Sequence, residues 1–178
     1  MIIALAGRRI DTPNAGIRRF PPENLELVRT RIRSVLQVKS VAVLISSAAC
    51  GADLIALEEA GAMGLRCRIV LPFDPQRFRV TSVTDRPGNW GEIYDRLIRH
   101  VQGKGDLLIL DGADGNEAYS AANQAILDEA ERLAKDASDE AVAMVVWDGV
   151  PRGDQDYTQA FADEARRRRL PLLEVKTV

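Results

Sequence analysis

The chain has 178 residues, of which 46% are hydrophobic and 28% charged, and its formal net charge at pH 7 is -2. This is the composition of an ordinary globular protein and argues against disordered and fibrous classes. A slightly acidic chain is a poor match to a protein that binds nucleic acid, because neutralising phosphates requires a basic surface. The length favours one domain over residues 1–178. No apolar run is long enough to span a membrane, and we expect the protein in the cytoplasm.

Strand-like apolar segments alternate with helix-like segments along the whole chain. Strands are predicted at Ile2–Ala6, Val41–Ser46, Cys67–Leu71, Leu107–Leu110, Val142–Trp147 and Leu172–Val175. Most are continuous apolar runs, which is typical of strands buried on both faces in a parallel sheet. Helices are predicted after Pro21, over Leu54–Met63, after a capping box at Asn89, over Glu117–Lys135, and after a cap at Asp156 or Thr158. The pattern predicts a single α/β, doubly wound Rossmann-like domain, with about six mainly parallel strands and helices on both faces.

Cysteine and histidine content predicts no metal centre. Cys50 and Cys67 are not in CxxC spacing, and His100 is the one histidine of the chain. We therefore expect neither a metal nor another cofactor. Cys50 precedes a predicted helix, a position at which the pKa of a thiol can fall. The N-terminal segment Met1–Gly7 lacks a basic leader, so we predict a strand there and no signal peptide.

The segment from Leu44 to Asp53 is the most informative junction of the chain. An apolar strand ends in a loop of small residues that opens directly into a helix. Small residues let a ligand approach the backbone, and free N–H groups at a helix start bind phosphate or another anion. A tight strand–helix turn, in which Gly51 serves only an unusual backbone angle, explains the same segment equally well.

Polar residues and glycines follow each predicted strand. In doubly wound folds a ligand lies beyond the carboxyl ends of the strands, near the point where the strand order reverses. We therefore predict a ligand site formed by Gly7, Arg8, Arg9, Ser46, Ser47, Gly51, Ala52, Asp53, Pro72, Asp111, Asp148, Gly149, Gly153 and Thr158. Within this set, we expect one cleft to collect Gly7, Arg8, Ser46, Gly51, Asp111 and Asp148.

Several of these residues have two interpretations at this stage. Arg8 can grip a phosphate bidentately, or it can pair at the surface with an aspartate of the rim such as Asp111. Asp53 can hold a ribose hydroxyl, or it can stabilise the helix dipole. Tyr119 and Asn123 are four residues apart on one helix face. They can line the mouth of the pocket or form an interface stripe.

Four groups of short motifs resemble the SLOG superfamily. They are Gly7-Arg8-Arg9; Cys50-Gly51-Ala52-Asp53 with Glu58, Ala60 and Gly64; Val70-Leu71-Pro72-Phe73 with Phe78, Ser82 and Trp90, as in its sensor-like branches; and Trp147-Asp148-Gly149 with Pro151, Gly153, Thr158, Ala165 and Pro171. The superfamily is Rossmann-like and includes cytokinin-activating phosphoribohydrolase-like proteins, the DNA-uptake protein core and nucleotide-sensing modules of bacterial conflict systems. The resemblance implies a site for a nucleotide or a nucleotide-sugar derivative.

The chain departs from this superfamily at one turn. Related proteins carry Gly-Gly-Thr there, whereas this chain has Gly153-Asp154-Gln155-Asp156-Tyr157-Thr158. Two aspartates beside a dianionic phosphate would repel it. The phosphate of the ligand is therefore expected elsewhere, near Arg8 and the Gly51 turn, or the ligand is less charged. The phosphoribohydrolase signature Pro-Gly-Gly-x-Gly-Thr, followed by a catalytic Glu, is also absent from the sequence.

Two classes of function follow from these observations. The first is a module that binds or senses a nucleotide-like small molecule, with a homodimer and an effector protein or domain as further partners, and with no membrane or nucleic acid. The alternative is an enzyme that acts on the N-glycosidic bond of a nucleotide. That chemistry requires a carboxylate near the sugar C1. The candidates are Asp53, Glu58, Asp111 and Asp148.

Overall fold

The apolar runs of the chain form parallel strands in a computed structural model that describes residues 1–111, 115–153 and 155–178. The strands are β1 (Ile2–Gly7), β2 (Val43–Ser46), β3 (Arg66–Leu71), β4 (Leu107–Ile109), β5 (Ala141–Trp147) and β6 (Leu172–Lys176). Within the described ranges they pair in one parallel sheet, in the order β4-β3-β2-β1-β5-β6. The predicted α/β class with parallel strands is confirmed. Asp154, one of the two aspartates of the unusual turn, lies outside the described residues.

Helices cover both faces of this sheet. They are α1 (Leu25–Val38), α2 (Ala52–Ala62), α3 (Pro75–Ser82), α4 (Trp90–Gly103), α5 (Gly115–Ala137) and α6 (Tyr157–Arg167). Alternate side chains of a strand point to opposite faces. Ile3 and Leu5 of β1 accordingly pack in the core formed with α1, α2 and α4, whereas Ile2 and Ala4 pack in the core formed with α5 and α6.

The strand order reverses beside β1. From β1 the chain adds β2, β3 and β4 on one side, and it then returns to place β5 and β6 on the other side. The return passes through α5, whose 23 residues extend about 34 Å at about 1.5 Å per residue. The point of reversal, between β1 and β5, is where doubly wound folds bind ligands.

Two local features differ from the sequence prediction. Helix α3 was not predicted; it begins after Asp74, which caps it by accepting hydrogen bonds from the N–H groups of Gln76 and Arg77. Asn89 makes no capping hydrogen bond at the start of α4, and its amide donates to Glu92 instead. In the part of the chain that the structure describes, no helix is long and apolar enough to cross a membrane.

Candidate functional site

A cavity of about 230 Å³ lies at the carboxyl ends of the strands, over the point where the strand order reverses. Its wall combines the end of β1, the β2–α2 junction, the residue after β3, and parts of α3, α5 and the loop before α6. Predicted site residues that line it are Gly7, Arg8, Arg9, Ser47, Asp53, Pro72 and Thr158. The structure therefore brings together about half of the predicted set, drawn from four separate parts of the chain.

Asp111 does not join this cavity, so the expected convergence on one cleft is wrong for this residue. It follows β4, and β4 is the edge strand on the far side of β3 and β2 from β1. At a spacing of about 4.8 Å between neighbouring strands, the end of β4 lies about 14 Å from the end of β1. Asp111 is exposed there. The sequence could not show this separation because it does not specify the order of the strands.

The other predicted residues do not line the cavity, and these include Ser46, Gly51 and Asp148 of the expected cleft. Ser46 is fully buried, and its hydroxyl donates a hydrogen bond to the Leu5 carbonyl at 3.1 Å, which joins β2 to β1. Glu58 forms ion pairs with Arg29 and Arg96. The remaining ones are Gly51, Ala52, Asp148, Gly149 and Gly153, of which Gly153 borders a neighbouring, more open cavity beside α5 and α6.

The Gly51 turn packs against the chain's own backbone. Gly51 has a φ of +102°, and a Cβ at this position would lie 2.7 Å from the Ile10 nitrogen and 2.8 Å from the Arg8 oxygen. The Ala52 N–H donates to the same Arg8 oxygen at 3.1 Å. A Cβ on Gly7 would lie 2.3 Å from the Ala52 Cβ. Both glycines are therefore required by the close packing of β1 against the start of α2, and the expected approach of a ligand to Gly51 is not what requires glycine there.

Arg8 is a buried clamp on the loop between β5 and α6. It is 2% exposed. Its Nε donates to Asp148 at 3.0 Å, Nη1 to Asp156 at 2.5 Å, and Nη2 to the Val150 carbonyl at 2.7 Å. Of the two interpretations of Arg8, the structure shows pairing with aspartates of the rim. The partners are Asp148 and Asp156 instead of Asp111, and the pair is buried instead of lying at the surface. Since every nitrogen of the guanidinium already donates to this loop, Arg8 fixes the wall of the cavity that contains Asp156.

Asp53 lies in the cavity wall and is only 5% exposed. Its Oδ2 accepts hydrogen bonds from the Ser47 hydroxyl at 2.6 Å and from the Ala49 N–H at 3.4 Å. Its Oδ1 is buried and has no hydrogen-bond partner among the residues that the structure describes. Burial raises the pKa of Asp53 from 3.8 to about 6, although the nearby donors of Ser47, Ala49, Gly7 and Ser46 act in the opposite direction. The carboxyl group is therefore mostly ionised at pH 7 and titrates just below it.

Unpartnered polar atoms concentrate at this one cavity. In the described ranges, four buried side-chain nitrogen or oxygen atoms lack a hydrogen-bond partner, and three of them belong to residues in the wall: Arg9 Nε, Asp53 Oδ1 and Tyr157 OH. A buried polar atom left without a partner costs about 1–3 kcal/mol. Native proteins rarely tolerate such atoms without a ligand or an ordered water. Their convergence identifies the cavity as the best candidate for a ligand site.

Aromatic rings form a continuous strip along the cavity. The rings of Phe78, Phe73, Tyr119 and Tyr157 follow one another with centroid separations of 6.0, 5.8 and 5.3 Å. The Tyr119 hydroxyl shares a hydrogen bond with Ser82 at 3.1 Å, which connects α5 to α3. Phe78, Tyr119 and Tyr157 line the cavity, and neighbouring rings of the strip are inclined to one another by 55°, 80° and 37°. The strip therefore offers separate ring faces and edges beside polar groups.

Sequence reasoning located some of these residues and missed others. Tyr119 and Asn123 both line the cavity, as their spacing on one helix face permitted. Arg152 was missed as a wall residue, and Tyr157 follows the fifth strand but was not included in the predicted set. Only the folding of the loop before α6 onto β1 brings them to the cavity. The position after a strand and the turn chemistry at Gly153 were the signals in the sequence that pointed to this stretch.

Arg152 lies at the cavity wall with an exposed side chain. In the described portion of the chain, no side chain or carbonyl accepts a hydrogen bond from its guanidinium. Partial desolvation and repulsion by the charges of Arg8 and Arg19 lower the pKa of Arg152, while the carboxylates of Asp156 and Asp148 act in the opposite direction. An anion bound here would offset the repulsion by Arg8 and Arg19.

Cys50 does not have the activated thiol that its place before a helix suggested. The side chain is buried, and burial raises its pKa above the ordinary value, while the nearby Arg9 opposes the rise. The expectation of a lowered pKa is therefore wrong. A buried neutral thiol is a poor nucleophile.

The fold is Rossmann-like, with parallel strands covered by helices on both faces. Among solved structures, the chain is similar to DNA processing protein A (DprA) from Streptococcus pneumoniae, with 14% identity and a TM-score of 0.42. The similarity covers 98% of this chain and 58% of that protein. No protein-family model matches the chain, and no curated protein does.

Proposed function

We propose that this protein is a SLOG-like module of the sensor type, which binds a nucleotide or nucleotide-sugar-derived small molecule without transforming it. The observation that carries the proposal is the convergence of Asp53 Oδ1, Arg9 Nε and Tyr157 OH, all unpartnered, on the cavity at the strand-order reversal. Within the described residues, these atoms supply one acceptor and two donors. A ligand that satisfies them must itself carry both donors and acceptors.

A nucleoside with an anionic group meets these requirements. Its ribose hydroxyl would donate to Asp53 Oδ1, and its flat base would lie along the strip that includes Tyr119 and Tyr157. Arg152 is the cation best placed for a phosphate, because the donors of Arg8 are engaged by the loop and Arg9 is already paired with Asp85 through Nη2. The Nε of Arg9 is the donor that this residue still offers. A cavity of about 230 Å³ is small beside the usual range of about 300–1,000 Å³ for ligand pockets. It therefore favours a mononucleotide-sized fragment.

Binding is tested by a thermal-shift screen of nucleosides, nucleotides, cyclic nucleotides and ADP-ribose derivatives, followed by calorimetry of each hit. The melting temperature should rise with the logarithm of ligand concentration above the dissociation constant. Asp53→Asn should reduce the affinity at least about tenfold, equal to about 1.4 kcal/mol. Asp111→Asn is the matched control, because Asp111 is exposed and lies outside the cavity wall. Equal affinities in the two variants, or no hit in the screen, would contradict the proposal.

The alternative, an enzyme acting on an N-glycosidic bond, is favoured by one feature of Asp53. Of the four candidate carboxylates Asp53, Glu58, Asp111 and Asp148, it alone lines the cavity. Its pKa of about 6 suits a group that exchanges protons near neutral pH. Prolonged incubation with each hit, followed by chromatography, separates the two functions. The binding module leaves the nucleotide intact, whereas release of free base that Asp53→Asn abolishes would establish the enzyme.

A further inference from the structure

The carboxylate of Asp156 occupies a ready-made anion site at the start of α6. Its Oδ1 accepts hydrogen bonds from Arg8 Nη1 at 2.5 Å and from the N–H groups of Thr158 and Gln159, both at 3.1 Å. Its Oδ2 accepts from the Arg152 N–H at 2.8 Å. A guanidinium and several backbone N–H groups around one anion at a helix start form the arrangement by which proteins bind phosphate. Here the anion is the protein's own side chain.

Helix capping alone does not require this arrangement, as the same chain demonstrates at α3. Asp74 caps α3 by accepting from the N–H groups of Gln76 and Arg77, and it is exposed. Asp156 makes the equivalent two bonds at α6 and adds an ion pair with buried Arg8. Its side chain is only 3% exposed. An anion-binding site needs the additional donors, which are Arg8 and the Arg152 N–H, and it needs the burial. A helix cap needs neither.

The Asp156 position belongs to the candidate ligand cavity. Asp156 and Asp53 both line that cavity. Asp53 is only 5% exposed, and its Oδ1 has no hydrogen-bond partner among the residues that the structure describes. The adjacent Tyr157 contributes a second unpartnered atom to the same wall. An anion placed at the start of α6 would therefore lie within reach of a ligand in the cavity. The resident carboxylate already takes that place.

We infer that Asp156 is a specificity-determining residue that excludes phosphate from the start of α6. The site then accepts a ligand whose end at α6 is uncharged, and any phosphate of that ligand lies away from the start of α6. The choice of ligand rests on the proposed function. The exclusion of phosphate by Asp156 does not, because it follows from like-charge repulsion and from the donors that the carboxylate occupies.

The test uses Asp156→Ser, with inorganic phosphate as the probe. Serine keeps a hydroxyl that can cap α6, but it removes the negative charge and leaves space beside Arg8. Asp74→Ser is the matched control, since it makes the same change at a helix cap away from the cavity. Phosphate affinity is measured by calorimetry, and melting temperature is measured in phosphate and in chloride at equal ionic strength.

The expected result is a gain of phosphate binding in Asp156→Ser alone. Its dissociation constant for phosphate should be at least about tenfold below that of the unmodified protein, equal to about 1.4 kcal/mol. Its melting temperature, lowered in chloride, should recover in phosphate. If Asp156→Ser is unfolded in chloride, it is refolded from urea in each salt. Refolding in phosphate alone supports the inference.

Three outcomes would overturn the inference. They are unchanged phosphate affinity in Asp156→Ser, failure of that variant to fold in either salt, and an equal effect of phosphate on Asp156→Ser and Asp74→Ser, which would reflect general stabilisation by a kosmotropic salt. A failed nucleotide screen would refute the proposed function but would leave the phosphate measurement valid. The two failures are therefore distinguishable.

Discussion

Replacing Asp53 with asparagine should stabilise the protein at neutral pH while it weakens ligand binding. Only Oδ2 of Asp53 accepts hydrogen bonds, from Ser47 and Ala49, and Oδ1 has no partner in the described part of the chain. An asparagine can place its amide oxygen at Oδ2 and its amide nitrogen at Oδ1, so both hydrogen bonds remain. The change therefore removes a buried charge at little structural cost.

The magnitude follows from the pKa of Asp53. A rise from 3.8 to about 6 corresponds to about 3 kcal/mol, at about 1.36 kcal/mol per pKa unit. Because the folded state holds this proton more tightly than the unfolded state, the free energy of unfolding decreases as pH rises from the unfolded pKa to the folded pKa. Weaker acceptance by a neutral amide subtracts about 1 kcal/mol. We expect Asp53→Asn to be about 2 kcal/mol more stable than the unmodified protein above the folded pKa.

The assay is urea denaturation followed by circular dichroism, at a pH near the ordinary aspartate pKa of 3.8 and at neutral pH. The advantage of Asp53→Asn should appear at neutral pH and disappear at the acidic pH, where both proteins carry an uncharged side chain. Asp111→Asn, at an exposed position, should show no such pH dependence. A variant that is less stable at neutral pH, or a stability difference that is the same at both pH values, would refute the reasoning about burial.

Four further substitutions, at three positions, test the packing around the cavity and the binding of a phosphate in it. Arg8→Ala should destabilise the fold by about 3–5 kcal/mol in urea denaturation, because the buried carboxylates of Asp148 and Asp156 lose the cation that they share. Arg8→Lys should also lose stability, since an ammonium group cannot reproduce the several directed hydrogen bonds of a guanidinium. An unchanged unfolding midpoint in both variants would show that Arg8 is not a clamp. Gly51→Val should cost more than about 1 kcal/mol in thermal denaturation, because of its positive φ and its contacts with the Arg8–Ile10 backbone; a native melting temperature would contradict this. Arg152→Ala should reduce the affinity for a nucleoside monophosphate about tenfold, or about 1.4 kcal/mol, with no effect on the matching nucleoside in calorimetry. If the affinities for both ligands fell equally, Arg152 would not be a residue that binds the phosphate.

The positions of the strands were readable from the sequence because a strand buried on both faces must be apolar throughout. The runs around Ile3, Leu44 and Val145 are fully buried in the sheet, and their alternation with helices led directly to the α/β class. The same reasoning placed Gly7, Arg8 and Asp53 after strand ends, where the cavity is found. These are properties of local sequence, since they depend on hydrophobicity and on neighbouring turn residues.

The partners of the rim residues were decided only by the tertiary structure. Arg8 is 140 residues from Asp148 and 148 from Asp156 in the chain, so no local pattern could specify those ion pairs. The sequence presented Asp156 as a charge that repels a phosphate, and it could not show that Arg8 and the start of α6 already surround that charge. The position of Asp111 was also decided by the tertiary structure. It follows a strand, as the other rim residues do, but the strand order places that strand at the edge of the sheet. Local residues determine where strands and turns form, whereas contacts between distant segments depend on how whole elements pack.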